Sequence, residues 1–518
     1  VNRQFRFSRS PENNYICLNT YKNRKDMLLL GIDLGSSSVK ASVIDGESGE
    51  CLASAFQPRD EMKIAAVNPG WAEQDPEDWW INLRSAIHDC CSRLGSKKSG
   101  IAAVGISYQM HGLVALGSDM KPLRPSIIWC DSRAVKYGQD AFEKLGSDFC
   151  LSHLLNSPGN FTAAKLAWVK ENEPELFERI WKIMLPGDYI ALRMTGEAVT
   201  SYSGLSEGIF WDFSRGELSG ELMDFFGFST DIIAEPKESF SVQGRLLDSV
   251  AQELDLPAGI PVSYRAGDQP NNALSLNVLQ PGEVAATAGT SGVIYGVTDK
   301  TRFDPLSRVN TFLHVNHSPV NPRLGVLLCI NGTGILNSWL KRNAGGGLGY
   351  DEMNVLASEV EPGSDGLSVL PFGNGAERIL MNRDVGCHIS GLNFNRHSGA
   401  HLFRAAQEGI AFSFRYGLDI MQETGIDAGH IRAGMANMFL SPVFREALSC
   451  ITGAVIDLYN TDGSVGAARG AGIGCGFYKS TAEAFAGLRP VGTTEPEPSL
   501  SAAYTDAYGK WRELLKSV

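Results

Sequence analysis

Met27-Leu28-Leu29-Leu30-Gly31-Ile32-Asp33-Leu34-Gly35-Ser36-Ser37-Ser38-Val39-Lys40 is the stretch whose reading decides the fold. The apolar run Met27–Ile32 enters a polar turn, and a second apolar run, Val39–Ile44, leaves it. The turn Asp45-Gly46 and a third strand-like segment, Glu50–Phe56, come next. Strand, tight turn, strand, turn, strand is the opening of a β-meander. Far along the chain the same unit recurs. Glu283–Ala288 leads into Gly289-Thr290-Ser291-Gly292, then Val293–Val297 and the turn Thr298-Asp299. Two such openings, each heading half of the chain, indicate an internal duplication. Chance recurrence is the competing explanation, because glycine-rich hairpins are common.

Outward from these hairpins, helices alternate with strands. Asp75-Pro76-Glu77-Asp78 reads as an N-cap, a proline at the first helical position and an acidic first turn, opening a helix that runs to about Leu94. Ile101–Ser107 reads as a strand and Leu324–Ile330 as a buried one. Ala163–Glu171, Leu402–Glu423 and Ser501–Leu515 carry helical spacing. The alternation indicates α/β layers. The expected division is an N-terminal domain over residues 27–262, ending near Gly259-Ile260-Pro261, and a C-terminal domain over 263–518 that includes the last helix. Residues 1–26 are rich in Asn, Arg and Lys and lack apolar periodicity, so they read as a disordered extension. A secretory signal would need an apolar stretch, and a transit peptide is disfavoured because Asn13–Leu18 makes no clear amphipathic helix.

Composition narrows the function. A chain of 518 residues with 43% hydrophobic and 20% charged residues is an ordinary globular protein with more than one core. No apolar run reaches the ~20 residues of a membrane span. A net charge of −12 argues against a general nucleic-acid surface, so neither nucleic acid nor membrane is an expected partner. Ten scattered cysteines without metal spacing read as reduced thiols of a cytoplasmic protein. An anionic ligand must therefore be held by local N–H groups, a few cations or a metal. The turn Gly35-Ser36-Ser37-Ser38 supplies N–H groups and hydroxyls, and Lys40 adds a positive point charge. Asp33 would repel a phosphate unless Mg²⁺, held through water, lies between them. Paired with Gly289-Thr290-Ser291-Gly292, the loop describes two hairpins gripping the phosphates of a nucleotide such as ATP. There is no Walker loop, and no G-x-G-x-x-G opens a helix.

Four segments occur in order: Ile32–Lys40, Tyr108-Gln109-Met110-His111-Gly112, Ala266-Gly267-Asp268-Gln269 and Ala288-Gly289-Thr290-Ser291-Gly292. With Phe161–Glu171 as an approximate mid-chain signature, they resemble the FGGY carbohydrate kinases, and among these the xylulokinases most. The likeness runs from about Met27 to the region of Gly476. It implies an α/β fold of two actin-like (ribonuclease H-like) domains with the active site in the cleft between them. It further implies transfer of phosphate from ATP, with Mg²⁺, to a small-molecule ketose such as D-xylulose.

The resemblance also assigns residues. Asp268 would be the catalytic base, supported by Asp33. Met110, His111, Trp129, Asp131, Asp268 and Gln269 would face the sugar. Gly35, Ser36, Ser37, Ser38, Lys40, Gly289, Thr290 and Ser291 would face the phosphates. Gly334, Ser338, Trp339, Ala433, Gly434 and Asn437 would face the adenosine. Three departures stand out. Gln269 replaces the Asn usual in xylulokinases and matches the glycerol kinases; Ala433 replaces a glycine and is expected to crowd the base; Asn160 breaks the mid-chain signature. Kinases for ribulose, sedoheptulose or glycerol are therefore the alternative, ahead of a non-kinase actin-like ATPase or a sugar-sensing regulator. Trp79 and Trp80 read as core anchors. The oligomeric state is not written in the sequence, and a homodimer is compatible with it.

Overall fold

The computed structural model describes residues 26–518, so all of the expected extension except Asp26 lies outside the described residues. The meander forms as read: Leu28–Leu34, Val39–Asp45 and Cys51–Gln57 pair antiparallel in succession. Ile101–Tyr108 then joins Leu28–Leu34 in parallel, and Pro261–Gly267 joins Ile101–Tyr108 in parallel. Phe240–Arg245 closes the sheet antiparallel to Pro261–Gly267. The helix Pro76–Leu94 starts where its signals place it, with the Asp75 side chain accepting from the Glu77 N–H. Trp79, Trp80, Leu83, Ala86, Ile87, Cys90, Cys91 and Leu94 form its buried stripe, at the 3–4 residue spacing of one helix face. Full burial of each large apolar side chain contributes roughly 1.5–3 kcal/mol. Both tryptophans are core anchors, with their N–H groups satisfied by Gln74 and Glu253.

A second sheet repeats the plan. Leu324–Ile330, Gly292–Thr298 and Val284–Ala288 lie antiparallel in sequence, followed in parallel by His430–Gly434 and Val455–Tyr459 and antiparallel by Pro490–Thr494. Antiparallel, antiparallel, parallel, parallel, antiparallel is the order through the six strands named in each sheet, so the duplication is real at the level of topology. The helices Gly399–Glu423 and Ser501–Lys516 cover this second sheet's core, with Trp511 buried and donating to the Val369 carbonyl at 2.9 Å.

The division of the chain differs from the one expected. One compact unit holds residues up to Asn277 together with Phe312–Arg323 and Asp462–Leu488; the other holds Val278–Thr311, Leu324–Thr461 and Arg489–Val518. A boundary after residue 262 would cut Pro261–Gly267, a fully buried interior strand of the first sheet. The return of Asp462–Leu488 has an equally physical cause. Its helix, Gly463–Gly474, packs so tightly on Leu28–Leu34 that a Cβ on Gly31 would collide with the Ser464 carbonyl. No helix among the described residues is long and apolar enough to cross a membrane.

Candidate active site

In the first unit the two opening strands place Asp33 opposite Lys40, one step before the turn. The turn closes with the Gly35 N–H on the Ser38 carbonyl at 3.0 Å. It is braced from outside: Gln74 Nε2 donates to the Ser36 carbonyl at 2.7 Å, and the Met62 N–H to the Ser37 carbonyl at 2.8 Å. Ser37 is exposed, and Ser36 and Ser38 are half-buried. Lys40 does not point freely from the turn. Its Nζ lies 2.8 Å from Asp462 Oδ2, while Asp462 Oδ1 caps the glycine-rich helix through the Ser464 and Val465 N–H groups. The Asp33 carboxylate lies against Gly463, where a Cβ would strike its oxygens.

Asp268 follows the strand Pro261–Gly267 and is the first residue of the helix Asp268–Ser275. Burial, and next the charge of Asp33, push its carboxyl up to about 7, although hydrogen bonds from Gln269 pull the other way. Burial also raises Asp33; Ser107 and Lys40 oppose the shift and the Asp462 charge adds to it. Two carboxylates therefore share a half-buried site, and the Lys40 ammonium that acts on Asp33 is already engaged by Asp462. Such a site favours a cation. Among the described residues no three His, Cys, Asp or Glu side chains are close enough to hold a metal directly. The donors thus suit a hard ion kept mainly by water and phosphate oxygens rather than a protein cage. Gln269 leaves its buried Oε1 without a hydrogen-bond partner among the described residues, as a group awaiting a ligand does.

Met110 and His111 follow the strand Ile101–Tyr108. His111 adopts φ 61°, a left-handed conformation unusual for a residue with a Cβ, and cases of this kind cluster at functional sites. Its ring packs edge-on to Phe161, with centroids 4.7 Å apart, and tilted against Phe312 at 5.5 Å. Nδ1 donates to the Glu207 carbonyl at 3.0 Å. Lys165, buried in the mid-chain helix Thr162–Asn172, donates to the carbonyls of His111 and Asn160. Burial lowers its ammonium to about 7, against the opposing charge of Asp131. Asn160 departs from the signature yet has a function of its own, its amide donating to the Asp131 carbonyl. Trp129 is exposed, with Nε1 3.3 Å from Ser36 Oγ, which leaves its face open.

Asp131 does not join this group. It is fully buried, accepts from the Ala72 N–H at 2.6 Å and pairs with Arg133 at 2.7 Å, so its carboxylate is consumed by structure. Arg133 in turn lies over Trp71 and Trp168, and the motif that looked like a sugar wall is half packing.

The second unit carries a pocket of about 550 Å³ whose walls include Gly289, Thr290, Gly334, Ser338 and Asn437. The helix Gly334–Asn343 begins directly on the second hairpin: the Gly334 N–H donates to the Gly289 carbonyl at 2.9 Å and the Ile335 N–H to Thr290 at 3.1 Å. A Cβ on Gly334 would overlap the Gly289 carbonyl, so the helix can start there only with glycine. Ser291 completes the turn and is half-buried. Trp339 is exposed on this helix and outside the lining, and Gly434 ends its strand without lining the pocket. Ala433 is fully buried in the core, so its methyl packs inward and does not crowd the pocket. Sequence reasoning missed Tyr350, Asp351 and Asn354 on this wall, because they come from a separate helix with no motif. It also missed Asp462, for which the capping sequence Asp462-Gly463-Ser464 was a usable signal.

The family model for the N-terminal domain of the FGGY family of carbohydrate kinases matches residues 28–275, and that for its C-terminal domain matches residues 284–471. The chain belongs to the FGGY family of carbohydrate kinases. It is an ATP-dependent sugar kinase with the two-domain actin-like fold of that family. A xylulose kinase of Klebsiella pneumoniae is 30% identical over 86% of this chain and 88% of its own. One of Lactococcus lactis is 29% identical over 94% and 96%. The crystal structure of a protein from Brucella ovis, described as a xyloylose kinase, superposes with a TM-score of 0.86 at 27% identity, covering 95% of this chain and 99% of that one.

Proposed function

We propose that this FGGY kinase converts D-xylulose and ATP to D-xylulose 5-phosphate and ADP. The observation that carries the reading is Asp268, a carboxylate tuned to about 7 beside Asp33 and adjoining the unsatisfied amide of Gln269. A base with that affinity is ionised above neutrality and can accept the proton of an attacking hydroxyl as the bond to phosphorus forms. Phosphoryl transfer asks little more than alignment of the nucleophile and neutralisation of charge. Met110 offers an apolar contact to the carbon skeleton, His111 and Gln269 bind hydroxyls, and Trp129 lends its open face. Gly289, Thr290, Gly334, Ser338 and Asn437 receive the nucleotide. Asp33 would hold Mg²⁺ through water; when bound, the ion would offset the charge on the phosphates. The names of the relatives support xylulose among ketoses, as does Met110-His111.

The test is a coupled ADP-release assay over a panel of ketoses and polyols. D-xylulose is expected to give the highest kcat/KM. Glycerol outperforming every pentulose would overturn the substrate assignment.

A further inference from the structure

Glu207 ends the short helix Tyr202–Glu207 and is fully buried. It holds His111 twice. Its main-chain oxygen accepts from Nδ1 at 3.0 Å, and its Oε1 accepts from the His111 backbone N–H at 3.3 Å. Oε2 lies 3.4 Å from the Tyr108 hydroxyl. The same oxygen would stand 2.7 Å from a Cβ on Gly267, the residue directly before Asp268. One side chain therefore touches both the turn that presents Met110-His111 and the backbone that presents Asp268.

We propose that Glu207 is a positioning residue of the phosphoryl-transfer site, fixing the backbone and tautomer of His111 and its spacing from Asp268. The inference rests on reading His111 as a sugar contact. A left-handed residue with a Cβ persists only where its neighbours hold it, and the Oε1 bond is one such hold. Because the Glu207 carbonyl can only accept, Nδ1 carries the proton and a neutral ring keeps its lone pair at Nε2. That atom is then the acceptor for a sugar hydroxyl.

The side chain sits where its charged form is disfavoured. Burial drives its carboxyl well above the ordinary range; Asp188 and Asp268 add to the shift, and the His111 N–H and Tyr108 oppose it. Arg265, the cation on the neighbouring strand, is committed to Asp188 at 2.9 Å. Glu207 accepts from the His111 N–H through Oε1 and from the Tyr108 hydroxyl through Oε2. Glutamine keeps an acceptor for the His111 N–H and can turn its amide N–H toward the Tyr108 oxygen; leucine can make neither bond.

The experiment measures steady-state kinetics of wild type, Glu207→Gln and Glu207→Leu, varying sugar and ATP separately, alongside the melting temperature of each. Removing the carboxyl acceptor of the half-buried His111 N–H predicts that Glu207→Leu loses about 10–100-fold in kcat/KM for the sugar, with the KM for ATP unchanged. Glu207→Gln is expected to stay within about threefold of wild type. An unchanged sugar kcat/KM in the leucine variant would overturn the proposal. So would a glutamine variant that melts like wild type yet is as impaired as leucine, since ionised Glu207 would then be the active form. If Glu207→Leu does not fold, Glu207→Asp replaces it. That change withdraws the carboxyl from the His111 N–H, with the same expected loss and the same overturning result. The contrast is read on whichever sugar of the panel wild type phosphorylates, so its failure is separate from failure of the xylulose assignment.

Discussion

The two opening hairpins share a backbone plan and differ in charge. In the first, Asp33 sits one residue before the strand end and faces Lys40 across the pair; in the second, the same position is Thr287, facing Val293. The contrast extends to the fifth strand of each plan. Pro261–Gly267 is followed by Asp268, whereas Val455–Tyr459 is followed by Asn460. One copy has carboxylates at both strand ends, and the other has a hydroxyl and an amide. The lesson is that the two copies share a turn able to present N–H groups to an anion and differ in the charge at their strand ends, a difference that would suit them to separate roles. Carboxylates can orient a hydroxyl and favour a cation, while a neutral turn can cradle an anion without repelling it.

Neutralising the first copy at Asp268 is the severest way to break that contrast. Asp268→Asn keeps the shape of the side chain and its hydrogen-bond acceptor but removes the proposed base, so kcat should fall about 10²–10⁴-fold while calorimetry finds both ligands still bound. A variant retaining more than about a tenth of wild-type kcat would end the general-base assignment. Asp33→Asn makes the first hairpin resemble the second. Its loss should be smaller, about 10–100-fold, as for residues that orient a metal's water shell, and raising Mg²⁺ should restore part of it. A defect indifferent to Mg²⁺ would place Asp33 outside metal binding.

The second copy offers the reciprocal test. Gly334→Val sets a side chain against the Gly289 carbonyl. Overpacking of this kind should raise the KM for ATP roughly tenfold and leave that for the sugar alone. Equal effects on both substrates would blur the division of roles.

The smallest effect concerns stability. Asp268 keeps its proton up to about pH 7 in the folded protein, against about pH 4 in an unfolded chain. Folding therefore takes up a proton between those values, and stability falls as pH rises through that window. Asp268→Asn should melt a few degrees above wild type at pH 8, and the advantage should vanish near pH 4. If Asp268 is the base, the same titration should set the acid limb of kcat/KM near pH 7 in wild type. In Asp33→Asn the limb should move to lower pH, because a charge that raises Asp268 has gone. A melting difference constant from pH 4 to 8 would mean that Asp268 titrates normally.

By itself the sequence determined what local chemistry controls. Gly35 and its serines, Asp45-Gly46 and Gly289–Gly292 are turn signals, and the strands flanking them begin and end within a residue or two of the expected limits. Asp75 and Pro76 placed a helix start, and the spacing of Leu402–Glu423 matched most of Gly399–Glu423. Asp33, Asp268, His111 and the second hairpin were legible because motif and turn coincide in a few consecutive residues. Only the tertiary structure decided the rest, since it depends on groups distant in the chain. Asp462–Leu488 joins the first unit through close approach of a glycine-rich helix to Gly31, a complementarity invisible to any local window. Asp131 and Ala433 sit inside motifs, yet one is consumed by Arg133 and the other by the core. Glu207 carries no local signal at all. Burial and the partners that folding brings to it set its charge and its contact with His111.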